Sequence, residues 1–163
     1  SKYLAESLVK KHHKNSINLR LYNVSGNNGF FKFDIERYHL IRKAAATANG
    51  LYPHVEIYGD DYDTKDGTAI RNYTHIKDIV NSIYNIILQK PITNFECLGS
   101  KNNYSVLEII KIMEKISGKK IKKVFKKRRL GDSATSIINK SLYFNETNTI
   151  HDQCLSALSV EID

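Results

Sequence analysis

Ile76, Ile79, Val80, Ile83, Ile86 and Ile87 recur at intervals of three and four residues, and Pro91 lies just beyond them. That spacing is the period of one helical face, and a proline cannot continue a helix, so the segment after Thr74 is expected to be a helix with this stripe in the core. Runs of another period flank it. Ile17, Leu19 and Leu21 alternate with Asn18, Arg20 and Tyr22, the pattern of a half-buried strand, which "NVSGNNG" is expected to stop. Val55 to Tyr58 and "NFECLG" each have strand length. Helices and strands in alternation place the chain in the α/β class.

Three further helices are expected. Residues 2–13 set Leu4, Leu8 and Val9 on one side, with Glu6 four residues before Lys10 as a favourable pair. Residues 39–48 are rich in alanine and are stopped by Asn49-Gly50. Ser105 and Glu108 have capping-box spacing, ahead of a stripe of Val106, Ile109, Ile110, Met113 and Ile116 that Gly118 closes. "KKIKKVFKKRRLGD" reads as a short basic strand and a turn, and "GDDYDTKDGT" as a loop or hairpin with its turn at Asp66-Gly67. The tail from Ser133 is weakly patterned. No repeat, low-complexity linker or domain boundary is visible.

The length of 163 residues suits one ordinary domain. A formal net charge of +8 calls for an anionic partner: nucleic acid, a membrane surface or a phosphorylated small molecule. Cys97 and Cys154 stand in no CxxC spacing, which removes a zinc ribbon or disulfide framework and fits a reducing cytosol. No signal peptide or membrane-spanning run is present. The first residue is Ser1 rather than Met, so the sequence is expected to be a truncated or partial one.

Among candidate chemical groups, Asp60, Asp61, Asp63 and Asp66 invite a calcium loop. In EF-hand register from Asp61, however, the fifth position is Lys65 and the twelfth is Asn72, which leaves a solvated turn. The six histidines are scattered. The neighbouring His12 and His13 point about 100° apart on a helix, so no metal site is expected. The basic run from Lys119 to Arg129 reads either as a nucleic-acid patch or as a solvated strand edge, since Ile121, Val124 and Phe125 interrupt it. Within "RRLGD", arginines beside a Gly-Asp turn can grip a diphosphate through planar bidentate donors while the carboxylate accepts from a hydroxyl. Arg71, after the "DGT" turn, offers another cation. Taken singly, each arginine reads more often as a surface ion pair than as a ligand clamp.

"YGDDYDTKDGTAIRNYTHIKDI" closely resembles a stretch of the UDP-galactose 4-epimerases of the extended short-chain dehydrogenase family, which follows the pattern YGxDYxTxDGTxxRDYxHVxDL. "SKYLAE", "LRLYNVSG", "HLI", "LGSKNNYSVLEII" and "RRLGD" agree with that family in order, from residue 1 to about 132. The resemblance implies the C-terminal part of an extended Rossmann-type NAD-binding fold: its last Rossmann elements interleaved with the small α/β UDP-sugar-binding domain. The N-terminal NAD-binding half would lie outside residues 1–163. It also implies inversion at C4 of a UDP-hexose through a 4-keto sugar, with bound NAD taking and returning hydride while a tyrosine of a YxxxK motif handles the hydroxyl proton.

Carried over residue by residue, Lys2 matches the motif's lysine, whose tyrosine would precede Ser1. Tyr22 would contact NAD and Asn23 the sugar-nucleotide phosphates. His39 and Leu40 would lie at the uridine, with Glu56, Ile57 and Tyr58 along the uracil. Arg71 and Arg129 would clamp the diphosphate, and Asp132 would accept from the ribose. Ser136 stands where some relatives carry a bulky tyrosine over the sugar, which would leave room for an N-acetyl group. Asn72 stands where the family has Asp, a change expected to loosen Arg71.

No GxxGxxG phosphate loop occurs in the sequence. Residues 1–163 alone are therefore expected to be inactive, as part of a cytoplasmic, homodimeric UDP-glucose 4-epimerase that meets neither nucleic acid nor membrane. The alternatives are a non-catalytic remnant or UDP-sugar-binding module, and a basic nucleic-acid binder.

Overall fold

The computed structural model describes residues 2–13, 15–27, 39–90, 95–138 and 141–159. Its strands pair mainly in parallel, as expected where helices connect them. β1 (Asn18–Leu21) runs parallel to β5 (Phe95–Leu98), and β3 (Val55–Tyr58) runs parallel to β7 (Lys123–Lys126). β4 (Ile70–His75) is the organising strand. Its second half lies parallel to β2 (Asn23–Ser25), while its first half sits between antiparallel β6 (Asn103–Ser105) and parallel β8 (Thr135–Ser136).

Two apolar clusters flank this arrangement. The larger gathers α2 (Leu40–Ala48), α4 (Val106–Ser117) and α5 (Ile150–Leu158) on β3, with Ile41, Val55, Ile57, Ile109, Ile110, Met113 and Cys154 at its centre. Ala44, Ala45 and Ala48 of α2 are buried there, and side chains this small let the helix axes approach closely. The smaller cluster packs Ile79 and Ile86 of α3 (Ile76–Gln89) on Leu98, with Leu19, Val24 and Phe144 around them. α4 is built as expected: Ser105 Oγ accepts from Glu108 N at 3.0 Å, Glu108 returns the bond to Ser105 N at 2.8 Å, and Gly118 closes the helix in the left-handed region.

The structure departs from expectation at several points. The α3 stripe is only partly core, for Val80 and Ile87 remain 51% and 64% exposed. With Tyr84 and Leu88 they form a flank that no described element covers. α1 (Lys2–His12) likewise buries none of its residues. The strand region does stop within "NVSGNNG", but not at its first residue, because pairing with β4 holds Asn23 to Ser25 extended as β2. The stop comes at Gly26, at φ +80°, where an added Cβ would lie 2.6 Å from the His75 ring. Of the two readings of residues 59–69, loop or hairpin, the structure has the loop. The tail carries α5, opened by a capping box in which Thr149 and Asp152 exchange hydrogen bonds. The position between Asn27 and His39, and the residue Pro91, lie outside the described residues.

Candidate functional site

A cavity of about 190 Å³ opens where the start of α2, β3, the first half of β4 and the turn after β7 converge. His39, Leu40 and Lys43 come from α2 and its cap, Glu56, Ile57 and Tyr58 from β3, Arg71 from β4, and Arg129 and Asp132 from the turn. Among the described residues β3 pairs only with β7, so the backbone N–H and C=O groups of its other edge are open to a ligand.

Arg71 and Asn72 are neighbours on β4, and alternation sends their side chains to opposite faces. Arg71 Nη1 donates to the carbonyls of Ile70 at 2.8 Å and Ala134 at 3.3 Å, and Nη2 donates to that of Ser133 at 2.8 Å. Asn72 is fully buried. Its Oδ1 accepts from Ile138 N at 2.6 Å, and its Nδ2 donates to the Asn102 carbonyl at 3.0 Å. Arg71 is thus oriented by backbone carbonyls, and the side chain at position 72 makes no direct contact with it, lying on the other face of β4.

Arg129 lies over the Tyr58 ring, 3.7 Å from its centroid. The turn that carries it closes with Asp132 N donating to Arg129 O at 3.2 Å, and Gly131 takes φ +86°. Tyr58 Oη donates to Glu56 Oε2 at 2.8 Å, and Lys126 Nζ stands 3.8 Å from Glu56 Oε1. The Tyr58 hydroxyl is the main influence holding the Glu56 carboxyl below the usual carboxylate range; burial opposes it, and Lys126, Lys43 and His54 each add a smaller lowering effect.

The "DGT" turn explains why Arg71 arrives where it does. Asp66 accepts from Thr68 N at 2.9 Å, from Thr68 Oγ1 at 2.7 Å and from Ser105 Oγ, the N-cap hydroxyl of α4. Burial would raise the Asp66 pKa, but the bonds from Ser105 and Thr68, with Lys111 nearby, outweigh it and hold the carboxyl below its ordinary value. Gly67 has φ +76°, and a Cβ there would lie 2.1 Å from the Asp60 carbonyl oxygen, so only glycine fits. Asp61 is taken by Arg128, whose Nε donates to it at 2.6 Å. Asp66 thus ties the loop to the start of α4 and Asp61 ties it to the segment after β7, and among the described residues no group of three or more His, Cys, Asp or Glu side chains gathers to hold a metal.

Other sequence-derived site residues stand apart from the cavity. Asn23, on β2, donates from Nδ2 to the Asn72 carbonyl at 3.0 Å. Ser136 is exposed and lies in register with Arg71 on β8. Lys2 is exposed on α1. Tyr22 follows the end of β1 and packs beside Gly99, which follows the end of β5. The carboxyl ends of parallel strands are where α/β sheets take their ligands. Burial, and then Cys97, push the Tyr22 phenol up. The cavity also includes Lys43, which sequence reasoning passed over, although it lies one helical turn from His39 and Leu40.

Residues 1–95 match the model of the family described as NAD dependent epimerase/dehydratase. The chain belongs to that family. The UDP-glucose 4-epimerase of Bifidobacterium longum is 38% identical over 122 residues, 71% of this chain and 36% of that protein. The crystal structure of a Bifidobacterium longum UDP-glucose 4-epimerase in complex with NAD+ and UDP superposes with a TM-score of 0.83 at 31% identity, covering 96% of this chain and 50% of that one. The UDP-Glc/GlcNAc 4-epimerase of Campylobacter jejuni superposes at 0.73 with 29% identity, covering 96% of this chain and 51% of that one. This chain therefore spans about a third to a half of the length of these family members.

Two buried polar groups outside the cavity, His75 and Asp78, are held by hydrogen bonds of their own. His75 ends β4 and is buried. Its Nδ1 accepts from Lys77 N at 3.1 Å, and burial lowers its pKa so that the neutral ring is favoured. The buried Asp78 carboxylate accepts from the backbone and side chains of Thr147 and Asn148, tying the tail to α3. No described helix is long and apolar enough to cross a membrane.

Proposed function

We propose that these residues form the UDP-sugar-binding part of a UDP-glucose 4-epimerase that interconverts UDP-galactose and UDP-glucose. One observation carries the reading: two guanidinium groups from distant segments, Arg71 and Arg129, line one cavity with an open strand edge and an acceptor carboxylate, Asp132. Diphosphate suits planar bidentate donors. The free edge of β3 at Glu56 to Tyr58 presents the amide and carbonyl groups a uracil can pair with, and Asp132 accepts from a ribose hydroxyl. Asn23 reaches the phosphates from β2.

Lys2 and Tyr22 are the residues that would hold NAD, and the place of Tyr22 at the carboxyl ends of β1 and β5 fits a dinucleotide at that edge. NAD, when bound, supplies the acceptor and donor of the C4 hydride. Lys2 would hold a ribose and favour the ionised form of the motif's tyrosine. With no GxxGxxG in the sequence, residues 1–163 by themselves are expected to bind nucleotide without turnover.

The two apolar clusters support the division into last Rossmann elements, around α3 and β5, and a sugar-nucleotide part around α2, β3, α4 and α5. Homodimer assembly and a cytoplasmic location belong to the same proposal, and the exposed Tyr3, Leu4 and Leu8 of α1 are the surface a second subunit would cover. Nucleic acid is disfavoured because Lys123, Lys126 and Arg128 of the basic run pair with Glu114, Glu56 and Asp61. The small Ser136 beside Arg71 favours acceptance of UDP-N-acetylglucosamine as well.

The test is turnover of UDP-galactose in the presence of NAD by the full-length protein and by residues 1–163. Activity of the first alone is expected. Turnover by residues 1–163, or none by the full-length protein, contradicts the proposal.

A further inference from the structure

We infer that Asn72 is a positioning residue for the diphosphate clamp, an inference that rests on the nucleotide reading of the cavity. Three facts meet at this side chain. It is fully buried, it satisfies one orphan donor and one orphan acceptor at once, and both partners belong to other segments: Ile138 N at 2.6 Å and the Asn102 carbonyl at 3.0 Å. Its own carbonyl accepts from Asn23 at 3.0 Å.

The segment from Ser133 to Ile138 is what this arrangement holds. β8 is two residues long and its side chains are exposed, so its ladder with β4 is too short to fix it. That segment also supplies two of the three carbonyls that orient Arg71, those of Ser133 and Ala134. The Asn72 amide anchors one end of the strap, and the strap's other end aims the Arg71 guanidinium. Asn72 touches no cavity atom and acts through these intermediaries.

In this chain an amide matches both partners because it donates and accepts, whereas a carboxylate, the group the resembled family carries here, can only accept and would face the Asn102 carbonyl. A carboxyl group at position 72 recovers the missing donor when protonated. The surrounding side chains, Asn23, Asn102, Asn103 and Ile138, do not titrate. The titratable groups on the segments around it are Arg71, Tyr73 and His75 of β4, Lys101 and Tyr104 beside Asn102 and Asn103, and Glu146, which accepts from Asn102 Nδ2 at 3.1 Å.

The experiment measures UDP affinity by calorimetry for the wild-type protein, Asn72→Asp and Asn72→Ala, at about pH 8 and about pH 5. At the higher pH both variants are expected to bind about tenfold more weakly, the scale of one buried hydrogen bond lost. At the lower pH Asn72→Asp alone is expected to close most of its gap to wild type, because burial keeps its carboxyl protonated there. Wild-type affinity in folded variants at the higher pH, or an equal deficit in Asn72→Asp at both pH values, overturns the positioning role while leaving the nucleotide reading intact. Absence of UDP binding by the wild type overturns the nucleotide reading and this inference with it.

Discussion

The Arg129 guanidinium stacks on the Tyr58 ring, 3.7 Å from its centroid, so an aromatic side chain of β3 holds in place a cation delivered by the turn after β7. Such a contact contributes about 0.5–1 kcal/mol at an exposed site, enough to bias the arginine toward the cavity before any ligand arrives. Arg129→Ala is expected to weaken UDP binding about tenfold or more, and Arg129→Lys to restore little, since an ammonium neither forks nor stacks as well. Tyr58→Phe keeps the ring and removes only the hydroxyl that donates to Glu56, so UDP affinity should hold while the Glu56 carboxyl moves back toward its ordinary value. Titration of Glu56 by NMR, together with calorimetry, measures both effects.

Gly67 is the position in the site's frame that tolerates a side chain least. Gly67→Ala must leave the left-handed region or drive its Cβ into the Asp60 carbonyl, and a loss of roughly 2–4 kcal/mol is expected. Gly50→Ala is the control. Its φ of +80° is similar but nothing lies within 4 Å of the added carbon, so about 1 kcal/mol is expected. Denaturant unfolding of the two variants side by side measures the difference.

Asp66 ties the loop to α4, and its effect on stability depends on pH. Its folded pKa lies below the ordinary value of 3.8, so the stabilisation is complete above that value and is lost as pH falls through the lower folded one. Asp66→Asn is expected to lose about 1–3 kcal/mol near neutral pH, from hydrogen bonds that a charged acceptor makes stronger. Its difference from wild type should shrink below about pH 4 as the wild-type carboxyl protonates. Unfolding curves across that acid range test the sign. A difference that stays constant contradicts the assignment.

What the sequence made legible is uneven for physical reasons. α4 could be read throughout because its cap, stripe and closing glycine are all local to residues 105–118. α5 opens with Thr149 and Asp152, a capping box with a shorter acid than the usual Glu, and its moderate amphipathicity gave no strong stripe. β2, β6 and β8 are two or three residues long and extended only because β4 pairs with them, which no local pattern contains. The apolar stripe of α3 marks a helix without saying how much of that face is covered. Residues 39–40, 56–58, 71 and 129–132 are too far apart in sequence for periodicity to unite them. They entered through family resemblance, and the cavity then brought them together. The roles of Asp66 and Asn72 needed the coordinates, because each acts by bonds to segments thirty or more residues away.

The central claim is that the cavity between β3, Arg71 and Arg129 receives the diphosphate of a uridine nucleotide. Calorimetric titration of UDP into the wild-type protein and into the Arg71→Ala/Arg129→Ala double variant tests it most directly. Saturable binding to the wild type that weakens at least about a hundredfold in the folded double variant is the predicted result, the scale of two charge-assisted clamps lost. Equal affinity in both proteins, or no binding to the wild type, would contradict it.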